Sequence, residues 1–201
     1  MAEDNTPEAN GPWAVRTREV RYDNPWLRLE HSTVVHPDGS DGIYGVVRFK
    51  NLAIGVLPVF EDGTVPLVGQ HRFPLNRYSW ELPEGGGPLS TTPLDAAKRE
   101  LIEETGYSAA HWAPLIEFDV SNSVTDEQSV CFLAWGLSSG PSAPEASEDL
   151  SHKRVAFSDL VAQCLDGQIR DGLTLVMALS AEAKARRGEL PADVAGYLAS
   201  T

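Results

Sequence analysis

The first part of the chain alternates between apolar and polar residues, which is the pattern of β-strands with one buried face. Strand-like segments separated by turn residues lie at 14–22, 26–35 and 43–50. The positions predicted to point inward are Trp26, Leu29 and Val34. Residues 36–42 are rich in Asp and Gly and include Pro, so they are predicted to form a hairpin turn. The pattern therefore predicts an antiparallel β-ribbon.

Longer apolar runs bounded by turn residues predict the strands of a main domain. These runs are 52–60, 64–72, 79–82, 111–118, 129–137 and 153–157. Residues 85–88 read Gly-Gly-Gly-Pro, a composition that disfavours both strand and helix. We therefore predict a loop at 85–88.

One helix is signalled by both of its ends. Thr92 suits the N-cap, Pro93 suits the first helical position, and Gly106 suits the residue that ends the helix. Two further helices, with their N-caps, are predicted at 158–166 (Ser158) and 171–187 (Asp171).

Mixed strands with one helix between them and two helices at the end predict an α/β sandwich rather than a βαβ series. The chain has 201 residues, enough for one domain with a full core and a small addition. The predicted organisation is a disordered leader at 1–12, a β-ribbon at 13–50, a main domain at 51–187 and a weakly specified tail at 188–201.

Charge and composition narrow the class of partner. The net charge of −13 argues against nucleic acid or an anionic membrane as the main partner. The start of the chain lacks a signal-peptide pattern, and the longest apolar run, 52–60, is too short to span a bilayer. Cys131 and Cys164 fit no metal-ligand spacing and are predicted to be buried free thiols. We therefore expect a cytoplasmic protein.

Three carboxylates share one face at the end of the central helix. At about 100° per residue, Glu104 lies about 40° from Glu100, and Glu103 lies about 60° away on the other side. Like charges at this spacing repel, and the C-terminal end of the helix dipole is also negative. A cation would offset both costs, and hard oxygen ligands suit Mg²⁺ or Mn²⁺.

The segment 85–107 resembles the Nudix box, in which a glycine is followed at fixed spacing by Arg-Glu-x-x-Glu-Glu-x-Gly. The match departs at one position, where Thr91 stands in place of the first glutamate of the box. The ribbon and three short segments also resemble the ADP-ribose pyrophosphatase-like branch of the family: 68–74, 80–83 and 167–171. The resemblance implies a Nudix α/β/α sandwich of mixed sheet with an N-terminal antiparallel β-ribbon. In that branch the ribbon often helps to form a homodimer.

The same resemblance implies roles for particular side chains. The implied metal ligands are Glu100, Glu103, Glu104 and the backbone carbonyl of Glu84. The implied catalytic residues are Glu127, Glu103 and Arg99, the last of which would orient Glu103. The implied substrate-binding residues are Arg72, which would contact phosphate, Trp26 and Glu81. The implied cofactor is Mg²⁺, with Mn²⁺ as the alternative.

Two of these residues have an alternative role that the sequence leaves open. Trp26 either stacks on the base of a nucleotide or packs within the protein. Glu127 lies on the loop between two strands after the helix, where it would be a general base or a further metal ligand. Asp126 is the next candidate for the same role. The structural alternative is that Asp126 and Glu127 form a solvated acidic pair without a role in the site.

The expected activity is metal-dependent hydrolysis of a nucleoside diphosphate linked to another moiety. ADP-ribose is the first candidate, followed by other nucleotide sugars such as GDP-mannose, with a nucleoside monophosphate and a sugar phosphate as products. The alternative is a non-catalytic nucleotide-sugar-binding module or regulator on the same fold. Thr91 is the feature in its favour, whereas the complete Arg99, Glu100, Glu103 and Glu104 set argues against it.

Overall fold

The computed structural model describes residues 8–140 and 150–199. The strands are β1 (Glu8–Asn10), β2 (Trp13–Asp23), β3 (Leu27–Val35), β4 (Asp41–Phe49), β5 (Asn51–Val59), β6 (Thr64–Arg72), β7 (Arg77–Glu81), β8 (Glu84–Pro88), β9 (Tyr107–Asp119), β10 (Gln128–Ser139) and β11 (Ser151–Ala156). The helices are α1 (Pro93–Thr105), α2 (Phe157–Leu165), α3 (Gly172–Arg186) and α4 (Ala192–Leu198), and Phe73–Leu75 form a 3₁₀ turn. None of the helices in this described part is long and apolar enough to cross a membrane.

The first of two compact units is the predicted ribbon together with the loop segment Asp119–Glu127. Its sheet has the order β1-β2-β3-β4, and each neighbouring pair is antiparallel. The prediction of a disordered leader is wrong for Glu8–Asn10, because these residues pair with the start of β2. Backbone pairing orders this short polar segment, which has no hydrophobic pattern of its own. Residues 1–7 lie outside the described part of the chain.

The second compact unit contains two sheets and the four helices of the described residues. One sheet has the order β8-β5-β10-β9, with β5 and β10 parallel. The other has the order β11-β6-β7 and is antiparallel. The predicted mixed α/β fold is confirmed.

Alternate side chains of β5 enter two separate apolar clusters. The cluster on the α1 side contains Ile54, Val56, Ala96, Ala97, Leu101, Phe132 and Ala134. The cluster on the side of the C-terminal helices includes Leu57, Val59, Leu133, Phe157, Leu160, Met177, Ala178 and Val194. Successive residues of a strand point to opposite faces, so this sheet is covered by helices on both sides. This is the α/β/α arrangement.

Helix α1 begins and ends where its caps predict. The Thr92 hydroxyl accepts a hydrogen bond from the N–H of Asp95 at 3.1 Å. Pro93 occupies the first helical position, and Gly106 takes the left-handed conformation with φ of 71°. These local contacts set the bounds of the helix and place Glu100–Glu104 in its last turns.

The prediction of a loop at 85–88 is wrong, because Glu84–Pro88 form the edge strand β8. The glycines permit close packing that a side chain would prevent. A Cβ on Gly85 would collide with the carboxylate of Glu100, and a Cβ on Gly87 would lie 2.6 Å from Ile54. Absence of side chains therefore lets β8 lie against both α1 and β5.

Two predictions about the C-terminal part are also wrong. Helix α2 starts at Phe157 with Ala156 as its N-cap, so Ser158 is not the cap. Phe157 is buried in the core, and its packing decides where the helix begins. The tail contains α4, whose Val194 and Leu198 are buried in the same core.

The inward positions predicted for the ribbon are only partly correct. Val34 is buried, but Trp26 is 65% exposed and Leu29 is 37% exposed. Trp26 precedes the first residue of β3, where its N–H bonds to the side chain of Asn24 at 2.8 Å. Burial of Trp26 within its own chain is therefore wrong, and its predicted stacking on a base stays a prediction.

Candidate active site

The acidic face of α1 lies beside the apolar stripe that holds the helix on its sheet. Ala97 and Leu101 are fully buried, and Glu100 and Glu104 are buried next to them, whereas Glu103 is partly exposed. The carboxylates of α1 therefore lie at the rim of the core rather than far out in solvent. Low local dielectric strengthens their repulsion, so their neighbours must supply compensation.

Arg99 supplies part of that compensation. Its guanidinium forms ion pairs with Glu103, four residues on, and with Glu100. It also donates a hydrogen bond to the backbone carbonyl of Gly86 on β8 at 2.8 Å. Burial works against the charged guanidinium, but Glu100 and Glu103 outweigh it and raise the pKa of Arg99. The predicted contact with Glu103 is therefore present, and Arg99 also ties the helix to β8.

Glu104 is oriented by the backbone of β8. The N–H of Glu84 donates a hydrogen bond to Oε2 of Glu104 at 2.9 Å. The carboxylate of Glu100 lies against Gly85 in the space that a side chain there would fill. The N–H of Glu84 thus contacts one carboxylate that the sequence predicts as a ligand, and the missing side chain of Gly85 makes room for another.

Arg72, at the end of β6, forms ion pairs with two carboxylates. Its Nε donates to both oxygens of Glu81 at 3.0 Å, and its Nη2 donates to Oε1 of Glu84 at 2.9 Å. Glu81 is only 3% exposed, so it faces Arg72 instead of solvent. Burial opposes the charge on Arg72, but the hydrogen bonds to Glu81 and the nearby charges of Glu84 and Asp171 outweigh it, so the pKa of Arg72 is raised. Glu81 therefore supports Arg72, and its predicted contact with substrate stays a prediction.

Among the described residues, Glu81, Glu84 and Asp171 form an acidic group whose ligand atoms lie within 4.8 Å of one another. Oε2 of Glu84 is buried without a hydrogen-bond partner in this part of the chain. Burial, followed by the charges of Asp171 and Glu81, raises the pKa of Glu84 well above its ordinary value of 4.5, although Arg72 acts in the opposite direction. The group has the hard oxygen donors that could hold a divalent cation.

The sequence analysis did not assign Asp171, the third member of this acidic group, to the site. Its prediction as the N-cap of α3 is correct, because Oδ2 accepts the N–H of Thr174 at 2.7 Å. The hydroxyl of Thr174 in turn accepts the N–H of Leu82 at 2.9 Å. This contact docks the start of α3 beside Glu81 and Glu84. The one sequence signal was the match of residues 167–171 to the family branch.

Glu127 and Asp126 lie in the ribbon unit, whereas the carboxylates of α1 lie in the other unit. The structure records no hydrogen bond or ion pair to the Glu127 carboxylate among residues 8–140 and 150–199. Burial, and to a lesser degree the charge of Asp126, raises the pKa of Glu127. A raised pKa brings a carboxylate closer to the range in which it takes a proton effectively near neutral pH.

Comparisons with family models cover most of the described chain. A model of the NUDIX domain matches residues 50–173. A model of the nucleoside diphosphate sugar hydrolase N-terminal domain matches residues 13–47. The two matches together include the ribbon, α1 and Asp171.

Several known proteins are similar in sequence. The ADP-ribose pyrophosphatase of Bacillus subtilis is 34% identical over 159 residues, which cover 79% of this chain and 80% of that protein. The ADP-ribose pyrophosphatase of Mycobacterium tuberculosis is 28% identical over 134 residues, which span 65% of either protein. The methanol dehydrogenase activator of Bacillus methanolicus is 30% identical over 152 residues, covering 76% of this chain and 78% of that protein.

A solved structure shares the fold. The crystal structure of an ADP compounds hydrolase superposes with a TM-score of 0.79 at 16% sequence identity, covering 91% of this chain and 100% of the other. At this identity the likeness concerns the fold alone.

Proposed function

This chain belongs to the Nudix family, and we propose that it is a metal-dependent pyrophosphohydrolase of nucleoside diphosphates linked to another moiety. ADP-ribose or a related nucleotide sugar is the proposed substrate, with a nucleoside monophosphate and a sugar phosphate as products. The observation that carries the proposal is the set of α1 carboxylates held by Arg99 and by the backbone of β8. The names of the similar ADP-ribose pyrophosphatases support the choice of substrate.

The residues present fit a divalent cation. Glu100, Glu103 and Glu104, with the carbonyl of Glu84, would hold it, because carboxylate and carbonyl oxygens are the donors that Mg²⁺ and Mn²⁺ prefer. Gly85 keeps the space beside Glu100 free of a side chain. When bound, such an ion offsets the charge of the pyrophosphate and makes a water molecule a better nucleophile.

The protein's own side chains would bind and orient the substrate. Arg72 would contact phosphate through the face of its guanidinium that Glu81 and Glu84 leave open, since it is one-third exposed. Arg99 would keep Glu103 and Glu100 in place. Glu127 would take the proton of the attacking water as general base.

The alternative, a non-catalytic binding module, was favoured by Thr91. Thr91 is exposed in the turn between β8 and α1, where its N–H donates to the carbonyl of Pro88 at 2.9 Å. Arg99 and the carboxylates of α1 keep their mutual contacts with threonine at this position. The departure from the Nudix box therefore removes none of the proposed ligands.

A substrate panel tests the proposed function directly. We expect hydrolysis of ADP-ribose or another nucleotide sugar when Mg²⁺ is present and none when it is chelated, since the carboxylates need a cation to approach phosphate. The measurement is chromatography of nucleoside monophosphate and sugar phosphate. Binding of panel members without turnover at any metal concentration would instead support the binding module.

The ribbon supports a further part of the proposal, a homodimer. On one face of its sheet Tyr22 lies opposite Leu29, and these two residues and Ile43 are exposed. Exposed apolar side chains on one face of a sheet favour association. Sedimentation is expected to give twice the 21.8 kDa of the chain. Ile43→Glu should shift it to monomer, unlike Leu165→Glu on the exposed side of α2; a wild-type monomer would contradict the proposal.

A further inference from the structure

The loop that carries Glu127 is anchored on strand β4 of the ribbon. Val47 donates its N–H to the carbonyl of Val124 at 2.9 Å, and the N–H of Asp126 donates to the carbonyl of Val47 at 3.3 Å. Thr125 faces Val47 in a parallel β-bridge. The loop therefore pairs with β4 through its backbone immediately before Glu127.

The side chain of Asp126 forms a second anchor on the same strand. Its Oδ1 accepts the N–H of Phe49 at 2.8 Å. Its Oδ2 lies 3.4 Å from Nη1 of Arg48, which Glu30 holds in turn through a 3.0 Å hydrogen bond. Asp126 thus gives an acceptor to a strand N–H, a group that needs a partner in the folded protein.

Further contacts brace the middle of the loop. The Tyr44 hydroxyl donates to the carbonyl of Ser123 at 2.6 Å, and the Thr125 hydroxyl donates to the carbonyl of Ser121 at 3.0 Å. Residues 122–125 form one wall of a cavity of about 310 Å³ whose other walls belong to the ribbon. The loop is therefore a built part of the ribbon unit.

We propose that Asp126 is a positioning residue for Glu127, and that the ribbon serves catalysis by holding this loop. The inference rests on the proposed function, in which Glu127 is the general base. Both oxygens of Asp126 are directed to β4, where it acts as a hydrogen-bond acceptor. A base one residue away must keep its carboxylate in place, because a shift of about 1 Å can cost about 10²-fold in rate.

Asp126→Ala and Asp126→Asn separate a positioning role from a catalytic one. Asparagine keeps an oxygen that can accept the N–H of Phe49 but carries no charge. Alanine provides neither the oxygen nor the charge. We expect Asp126→Ala to lower kcat by about 10²-fold with little change in KM. Asp126→Asn should stay within about threefold of wild type, since it loses only a partly exposed ion pair. Asp119→Ala, at the exposed start of the same loop, is the matched control.

Glu127→Gln and hydrogen exchange complete the test. Glu127→Gln should lower kcat by at least about 10²-fold. Amide exchange in a peptide spanning 119–127 should speed up in Asp126→Ala but not in Asp126→Asn. Equal loss of kcat in both Asp126 variants would make its charge essential and overturn the inference. If Asp126→Ala keeps the wild-type kcat while Glu127→Gln is inactive, the inference is also overturned, but the proposed function stands. If Glu127→Gln keeps full activity, Glu127 is not the general base.

Discussion

Glu104→Gln is expected to abolish turnover while the protein stays folded. Glu104 is 4% exposed, and its Oε2 accepts the N–H of Glu84 at 2.9 Å. The glutamine amide has nearly the same shape and keeps an oxygen for that bond, so the packing of α1 on β8 is retained. The charge that would attract a divalent cation is lost. A loss of several kcal/mol in transition-state stabilisation corresponds to about 10³-fold in kcat/KM.

Thermal unfolding provides the second measurement for Glu104→Gln. In the wild type, Mg²⁺ with substrate should raise Tm, because a ligand that binds only the folded state stabilises it. The variant should lose most of this increase. Without metal, its Tm should be equal to or higher than that of the wild type, since one of several repelling charges is gone. Glu117→Gln, an exposed position on β9, makes the same change of charge away from the site. Near-wild-type turnover in Glu104→Gln would show that the ligand assignment is wrong.

Arg72→Met is expected to reduce both stability and activity. It removes the guanidinium that binds Glu81 and Glu84 and leaves their carboxylates buried beside Asp171. Breaking a buried pair from one side costs about 3–5 kcal/mol, and a value near 3 is expected because Arg72 is 33% exposed. Denaturant unfolding measures the loss. Turnover should fall with it, since the proposed phosphate contact disappears.

Two companion variants separate stability from catalysis at this position. Arg72→Lys keeps the charge but not the fork that binds two oxygens, so it should retain most of the stability and still lose activity. Arg72→Met combined with Glu81→Gln should regain part of the stability and none of the activity. Full turnover in Arg72→Lys would contradict the proposed contact between the guanidinium and phosphate.

The pH dependence of Arg72→Met has a definite sign. When folding raises the pKa of a carboxyl group, the group contributes most to stability at pH values below its pKa in the unfolded chain. This contribution is lost as pH rises through the pKa of the group in the folded protein. The pKa of Glu84 is already raised above 4.5 by burial and by Asp171, and loss of Arg72 removes the group that lowers it. The stability deficit of the variant should therefore grow as pH rises through the folded pKa of Glu84 in the wild type, and a deficit independent of pH would contradict this account.

Local chemistry made α1 predictable. Thr92, Pro93 and Gly106 act on backbone groups within a turn of themselves, so the bounds of the helix can be inferred without the rest of the protein. The pairing of Arg99 with Glu103, which the family resemblance implied, is also local, because residues four apart on a helix are neighbours. All of these contacts lie within a turn or two of one helix.

Contacts between distant segments account for the predictions that failed. Residues 85–88 lack strand propensity, yet they form β8 because α1 and β5 approach closely only where no side chain intervenes. Helix α4 has a weak signal of its own and is held by burial of Val194 and Leu198. In such segments the partner decides the structure, and the partner is not visible in a local pattern.

The sequence by itself determined the family, the mixed α/β class and the helix on which three carboxylates meet, since each depends on spacing within a short segment. Only the tertiary structure brought Arg72, Glu81, Glu84 and Asp171 together, because they belong to different strands and to the start of α3. It also revealed that the Asp126 carboxylate faces β4, which is the observation behind our proposal that this residue positions Glu127. Spacing along one helix can be derived from its repeat, whereas contact between separate elements depends on how the whole chain packs.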